Sequence, residues 1–143
     1  MSLHDVLGEA ILSTRSDAIV AADQDGIVRF WNPGAERLFG YSPDETIGRS
    51  LDLIIPERLR GRHWEGFRRV IATGESHYGE ADLLSVPALR KDGGTISVEF
   101  TVVLLRDDGR MIGMAAIMRD VTKRFEETRA LKRKLAETTK PPL

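Results

Sequence analysis

The spacing of apolar residues changes four times along the chain, and these changes restrict the fold more than any other feature of the sequence. Apolar residues recur at helical spacing, alternate through two short segments, return to helical spacing, alternate through three longer segments and end in a charged helical pattern. The predicted elements are a helix over 2–13, strands over 17–23 and 27–31, short helices after Asn32 and Ser42, a helix over 57–73, strands over 78–89, 95–105 and 111–118, and a helix over 121–139. We therefore predict an α+β domain, with a five-stranded antiparallel sheet, a helical insert on one face and flanking N- and C-terminal helices.

The composition argues against several classes of function. The chain has 143 residues with 21 Lys+Arg and 22 Asp+Glu, and the resulting net charge of −1 argues against a nucleic-acid partner. It has no cysteine, which excludes disulfides, thiolate-bound metals and thiol nucleophiles. No apolar run reaches the roughly 18–20 residues of a membrane span, and the N-terminus does not resemble a signal peptide. Because no catalytic motif is present either, we expect a non-enzymatic cytoplasmic protein without a membrane partner.

Alternation along the strands predicts which side chains form the core. Arg29 should point to solvent, which turns its neighbours Val28 and Phe30 inward. The predicted core consists of Ile19, Ala21, Val28, Phe30, Leu38, Phe39, Ile47, Leu53, Phe67, Val98, Phe100, Val102, Met114 and Ala116. The space between such a sheet and its helical insert is a natural place for a small-molecule pocket.

Three motifs, in matching order and spacing, resemble the PAS family of sensory domains. The segment NPGAERLFGY at 32–41 is similar to the family's N-x-A-A-x-x-L-x-G-Y motif, with Gly34 in place of the usual first alanine. RKDG at 90–93 matches the family's K/R-D-G turn, and DVT at 120–122 matches its closing D-[IV]-T. The resemblance implies a sensor domain over 16–122, preceded by an amphipathic helix over 1–15 and followed by a signalling or linker helix and tail over 123–143.

The helix over 57–73 also resembles the haem-binding PAS domains of FixL-type oxygen sensors. PERLRGRH at 56–63 is similar to a stretch in which a histidine binds iron and an arginine about two turns later reaches a haem propionate. The resemblance implies that His63 is the metal ligand of a b-type haem and that Arg69 pairs with a propionate. The helical spacing agrees, because His63 shares the apolar stripe of Phe67, where a polar ring needs a partner.

The opposite wall of the implied site is predicted to be apolar. FixL-type domains carry a distal arginine that holds oxygen, whereas the corresponding place here is near Leu84, with no arginine close by. Besides His63 and Arg69, the predicted cofactor-binding residues are Phe67, Leu84, Phe100, Val102 and Met114. Since such a wall offers bound O₂ no hydrogen-bond donor, CO, NO or redox sensing fits it better.

Two alternatives remain open at this level. His63 can be an ordinary core histidine bonded to a carbonyl or side-chain acceptor, and the domain can be a ligand-free PAS module for dimerisation or protein interaction. Trp64 can face a partner or cover the seam between helix and sheet. His4 and His77 are predicted to be surface residues.

The terminal helices are the predicted interfaces. The first helix has apolar residues on more than the one stripe that a lone domain would bury, namely Leu3, Val6, Leu7, Ile11 and Leu12. Because PAS domains use such helices for dimerisation and signal output, the resemblance implies a homodimer. It also implies an output domain or partner protein, whose identity the sequence does not reveal.

Overall fold

A computed structural model of the chain describes residues 1–75 and 83–139. The helices are α1 (Leu3–Leu12), α2 (Pro33–Phe39), α3 (Pro43–Thr46), α4 (Glu57–Thr73) and α5 (Thr122–Thr138), with a 3-10 helix at Leu51–Ile54. The strands are β1 (Ala18–Asp23), β2 (Val28–Trp31), β3 (Leu84–Leu89), β4 (Thr95–Asp107) and β5 (Arg110–Asp120). Three sequence predictions lie outside the described residues: the first part of the strand over 78–89, surface-exposed His77 and the tail beyond 139.

The five strands form one antiparallel sheet in the order β2-β1-β5-β4-β3, which confirms the predicted α+β class. The segment α2–α4 follows β2 and precedes β3, and these are the two edge strands. To connect opposite edges, this segment must cross a face of the sheet, which places the helical insert over that face. Among the described helices, none combines the length and the apolar character that a membrane span requires.

The sheet face under the insert carries Ala18, Val20, Val98 and Met118, which belong to one buried cluster. Adjacent residues of a strand point to opposite faces, so Ile19 and Ala21 lie on the other face. Ile19 is buried as predicted, with 6% of its surface exposed, and Ala21 is partly buried, but neither belongs to this cluster, so the prediction that they face the insert is wrong. Four of the six residues of β1 are buried and the other two are partly buried, so its sequence has no alternation that would have shown which side chains face the insert.

The prediction for Phe30 is also wrong, and the cause is a bulge. Ala21 pairs with Phe30 but Ala22 pairs with Val28, which leaves Arg29 as an extra residue on β2. Phe30 consequently lies on the outer face with Ala21, while Val28 and Trp31 enter the core. Trp31 Nε1 donates to the backbone oxygen of Tyr41 at 2.9 Å, which satisfies its polar group inside the core.

Ile47 is a third wrong core prediction, since it is 45% exposed. α3 ends at Thr46, and Ile47 caps it in an extended conformation. Thr46 is buried instead, with its hydroxyl donating to backbone oxygens within α3. The other predicted core residues are either buried, as are Val28, Leu38, Phe39, Phe67 and Val98, or partly buried, as are Leu53, Phe100, Val102, Met114 and Ala116.

Asn32 joins three segments of the domain through its side-chain amide. Its Oδ1 accepts from Ala35 N in the first turn of α2 and from Ile19 N in β1, both at 2.8 Å. Its Nδ2 donates to the backbone oxygens of Thr14 at 3.1 Å and Asp17 at 3.0 Å. Asn32 is 1% exposed, and both donors and the acceptor oxygen of its amide are used.

Gly34 stands where the family motif has an alanine, and the backbone just before β1 leaves no room there for a Cβ. A Cβ at Gly34 would overlap the carbonyl oxygen of Asp17, which cannot move aside as a side chain could. Gly34 N also donates to Thr14 O at 3.0 Å, and this separate contact fastens α2 to the linker before β1.

Replacing Asn32 by aspartate should strongly destabilise the fold. The carboxylate still accepts from Ala35 and Ile19, but its second oxygen faces two carbonyl oxygens instead of donating to them. We expect the free energy of unfolding to fall by about 3 kcal/mol or more at neutral pH. The loss should shrink as the pH falls, because the buried carboxylate then takes up a proton. Urea denaturation measures both effects.

The exposed amide of Gln24, which donates to Met111 O at 2.8 Å, provides the matched control. Gln24→Glu makes the same change of charge at the surface and should alter stability by no more than about 0.5 kcal/mol. Equal losses in the two variants would contradict the role assigned to Asn32.

Candidate functional site

α4 presents an aromatic cluster to the domain interior. Its apolar and aromatic residues fall on one side of the helix, and Phe67 is its one buried residue. The rings of His63 and Trp64 meet edge to face, with centroids 4.6 Å apart and planes at 79°. Phe67 lies 5.8 Å from His63 and 5.3 Å from Trp64, measured between ring centroids. The predicted ligand and one predicted wall residue are therefore brought together.

His63 has an unusual environment for a polar side chain. Its Nδ1 is buried and has no hydrogen-bond partner among the described residues. Burial lowers the pKa of the imidazole below its usual value, and the negative charge of Asp52 opposes this shift only in part. His63 is therefore held neutral, which is the form that binds metals.

Trp64 connects α4 to two other parts of the fold. Its Nε1 donates to Asp52 Oδ1 in the 3-10 helix at 2.7 Å. Its six-membered ring covers Gly26 in the β1–β2 turn, where a Cβ would overlap the ring and where the φ of +76° also favours glycine. Of the two alternatives for Trp64, a partner-facing ring and a ring over the seam between helix and sheet, this contact favours the second, since the ring covers the seam between α4 and the β1–β2 turn. No sequence pattern pointed to Asp52, because an aspartate in a short loop is ordinary.

The inner face of β3, β4 and β5 carries the remaining predicted wall residues. Leu84 pairs with Phe100, Val102 with Ala116, and Leu104 with Met114, so these side chains share the face on which the insert packs. Leu84, Phe100, Val102 and Met114 are each only partly buried. The structure thus provides an apolar surface that the helices leave incompletely covered.

Arg69 lies away from this cluster. It follows His63 by six residues, or about 240° around the helix, and its guanidinium pairs with Glu65 at 3.4 Å. Its side chain is 60% exposed. The structure does not bring Arg69 to His63, and its part in a site remains a prediction.

A surface cleft of about 700 Å³ opens beside the start of α4. It is lined by Pro56, Glu57, Arg58, Arg60 and Leu89. None of these is a predicted site residue, and three of the five are charged. We therefore assign the candidate site to the cluster around His63, on chemical grounds.

The donor set around His63 does not suit a bare metal ion. Within residues 1–75 and 83–139, no group of three His, Asp or Glu side chains is arranged to hold one. A haem differs, because the porphyrin supplies four of the iron ligands and the protein needs to supply only one or two. One neutral imidazole packed against two aromatic rings fits that requirement.

The environment of His63 should make stability depend on pH. The unfolded chain takes up a proton on His63 near about pH 6.5, whereas the folded chain does so only at lower pH. The unfolded state therefore binds more protons below about pH 6.5, and the free energy of unfolding falls as the pH decreases. Urea denaturation at about pH 7.5 and about pH 5.5 should show this loss in the wild type and a smaller one in His63→Leu. Exposed His4 is the control, since His4→Leu should retain the wild-type loss.

Comparison with known sequences gives relatives among sensor proteins. The chain is 31% identical over 121 residues to the sensor protein FixL of Bradyrhizobium diazoefficiens and 31% identical over 115 residues to the oxygen sensor protein DosP of Escherichia coli. These alignments cover 85% and 78% of this chain but 23% and 14% of the relatives. An uncharacterized protein of Azorhizobium caulinodans is 40% identical over 125 residues, which are 87% of this chain and 17% of that protein. The chain thus spans less than a quarter of the length of these relatives.

Solved structures agree with the fold. The PAS domain of a protein from Colwellia psychrerythraea superposes with a TM-score of 0.71 at 24% identity, covering 85% of this chain and 99% of that one. An RNA-binding light-oxygen-voltage receptor superposes with a TM-score of 0.72 at 27% identity, covering 94% of this chain and 37% of that one. The family model described as PAS fold matches residues 12–126. The chain therefore belongs to the PAS fold family, as its motifs indicated, and has sensor proteins among its relatives.

Proposed function

We propose that this domain is a non-catalytic cytoplasmic sensor that binds a b-type haem through His63 and transmits the resulting change through α5. The observation that carries the proposal is the imidazole of His63, which is set among aromatic rings with a buried and unpartnered Nδ1. Similarity to relatives named as a sensor protein and an oxygen sensor protein supports a sensory role.

The energetics of His63 favour a ligand role over a structural one. A buried polar atom without a hydrogen bond costs free energy, and native structures contain few such atoms. A structural histidine would be expected to donate to or accept from a neighbour, and His63 has no such bond to a described residue. A neutral imidazole that no other group uses is available for iron.

The surroundings of His63 match the apolar body of a haem. Phe67 on α4 and the inner face of β3–β5, with Leu84, Phe100, Val102 and Met114, would contact the macrocycle. When bound, haem would supply an iron centre able to take up a diatomic gas or change oxidation state. The described part of the sheet wall has no hydrogen-bond donor among these side chains, so we propose CO, NO or redox state as the signal in preference to O₂.

Arg69 can pair with a haem propionate only if its ion pair with Glu65 breaks. Both side chains are largely exposed, and an exposed pair of this kind contributes at most about 1 kcal/mol. Exchanging the Glu65 carboxylate for a propionate therefore costs little free energy. The arginine side chain would also have to reach around α4 towards the face that carries His63. We retain Arg69 as the proposed propionate partner on the sequence resemblance alone.

The proposed output route runs through β4. Val98 and Phe100 face the site, while Ser97 and Glu99 alternate with them and hold α5. Ser97 O accepts from Val121 N at 2.8 Å, Ser97 N donates to Thr122 Oγ1 at 2.9 Å, and Glu99 forms an ion pair with Arg124. A shift of the sheet face by a ligand would therefore reach the start of α5 directly.

We further propose that the domain forms a homodimer through its terminal helices. Leu3, Val6, Leu7, Ile11 and Leu12 are 44–82% exposed, and α1 has no buried residue. On α5, Phe125, Leu131 and Leu135 are exposed as well. Contact with a second copy would remove these side chains from water. The output domain or partner protein that receives the signal remains unspecified.

Hemin titration of the purified apo-protein tests the haem proposal. We expect a sharpened and shifted Soret band in the wild type, because an imidazole coordinates the iron. His63→Ala should abolish the shift. His4→Ala is the matched control, because it removes an exposed imidazole from α1 and should behave as the wild type.

Two results would contradict the haem proposal. The first is an unshifted band in the wild type, which would favour the ligand-free module. The second is an identical shift in His63→Ala, which would mean that hemin binds elsewhere.

Charge on α1 should disrupt the dimer. Leu7→Arg combined with Ile11→Arg places two cations on the apolar surface, and sedimentation velocity should show a shift from dimer to monomer. Glu9→Arg changes the net charge by the same amount on the other face of α1 and should leave the dimer intact. A wild-type monomer at high micromolar concentration, or a double variant that remains dimeric, would refute this interface.

A further inference from the structure

We infer that Trp64, anchored by Asp52, is the residue that positions the imidazole of His63. The inference rests on the proposed function, in which His63 is the iron ligand, and concerns how this chain fixes that ligand without a hydrogen bond. Trp64 and Asp52 are positioning residues and need not contact the cofactor.

Metal-binding histidines are normally oriented by a hydrogen bond from the ring nitrogen that does not bind the metal. In this structure no hydrogen bond of His63 to a described residue orients the ring, whichever nitrogen takes the iron. Rotation of the ring must therefore be limited by packing. The two rings that pack on it are Trp64, edge to face at 4.6 Å, and Phe67, tilted by 36° at 5.8 Å.

Trp64 is itself held in place by hydrogen bonds, so its ring can fix the orientation of the imidazole. Its Nε1 donates to a carboxylate oxygen of Asp52 at 2.7 Å, a charge-assisted hydrogen bond of short length. The backbone of Asp52 is fixed in turn, because its carbonyl oxygen accepts from Arg60 Nη2 at 3.2 Å. Arg60 Nε donates to Ile55 O at 3.0 Å, which ties the same guanidinium to the end of the 3-10 helix.

Gly26, in the β1–β2 turn, packs against the ring of Trp64. The tryptophan ring occupies the space that a Cβ at Gly26 would fill, so the indole packs directly on the backbone of the β1–β2 turn. The indole is thereby confined between the turn and His63. Its anchor lies on a third element, the 3-10 helix, so three parts of the fold determine where the imidazole lies.

The experiment compares four variants by hemin titration. Trp64→Phe keeps an aromatic ring but removes the N–H, and Asp52→Ala removes the acceptor. Asp52→Asn removes the charge but retains an oxygen that can accept from Nε1, so it should restore most of the wild-type behaviour. Trp31→Phe is the matched control, because it deletes a similar indole hydrogen bond, to Tyr41 O, in another part of the core.

We expect Trp64→Phe and Asp52→Ala each to raise the dissociation constant for hemin about tenfold and to broaden the Soret band, as loss of a group that orients a metal-binding histidine usually does. The double variant should be no worse than either single one, because both remove the same bond. Trp31→Phe and Asp52→Asn should stay near the wild type. Equal effects of Trp64→Phe and Trp31→Phe would overturn the inference and indicate general destabilisation.

A measurement on the apo-protein separates this inference from the haem proposal. Nuclear Overhauser contacts between the rings of His63 and Phe67 should be strong in the wild type, Trp31→Phe and Asp52→Asn, and weak in Trp64→Phe and Asp52→Ala. If hemin does not bind, the haem proposal fails, while these contacts still decide whether Trp64 positions the imidazole. Unchanged contacts in all variants would refute the positioning role.

Discussion

The hydrogen bonds of the Asn32 amide are the interaction on which the rest of the structure depends. They connect the linker after α1, the start of β1 and the first turn of α2 inside the core, where no water can replace them. β1 is paired on both sides, with β2 and β5, so its position sets that of the whole sheet. The amide also fixes the direction in which the chain leaves β2. Since the insert must then cross the sheet to reach the opposite edge, this one residue orients the helices that carry the candidate site.

His63 contrasts with Asn32 in how its polar atoms are used. The buried amide of Asn32 uses both donors and its acceptor oxygen, while the buried Nδ1 of the partly buried His63 has no partner among the described residues. Buried polar atoms are normally bonded, so an exception needs a cause. Sites with a function are the places where a fold departs from local optimisation, and His63 is such a departure in this domain.

The alternation of β4 connects this site to the end of the domain. Residues that face the site and residues that hold α5 follow one another along a single strand, with Val98 and Phe100 on one face and Ser97 and Glu99 on the other. Strand geometry makes this connection short, because neighbouring residues share a peptide plane while their side chains lie on opposite faces. A single strand can therefore line a site with one set of residues and hold a helix in place with the residues that alternate with them.

The sequence by itself determined the order of elements, the helix caps and the family, because hydrophobic period, capping residues and turn glycines act locally. It also placed His63 and Phe67 on one stripe of α4, which follows from helical spacing alone. Only the tertiary structure decided on which face of the sheet Ile19 and Phe30 lie. The reason is that β1 has buried residues on both faces and that the bulge at Arg29 breaks the alternation of β2. It alone brought Trp64, Asp52 and Gly26 together, because contacts between residues 12 and 38 positions apart in the chain depend on how the insert crosses the sheet.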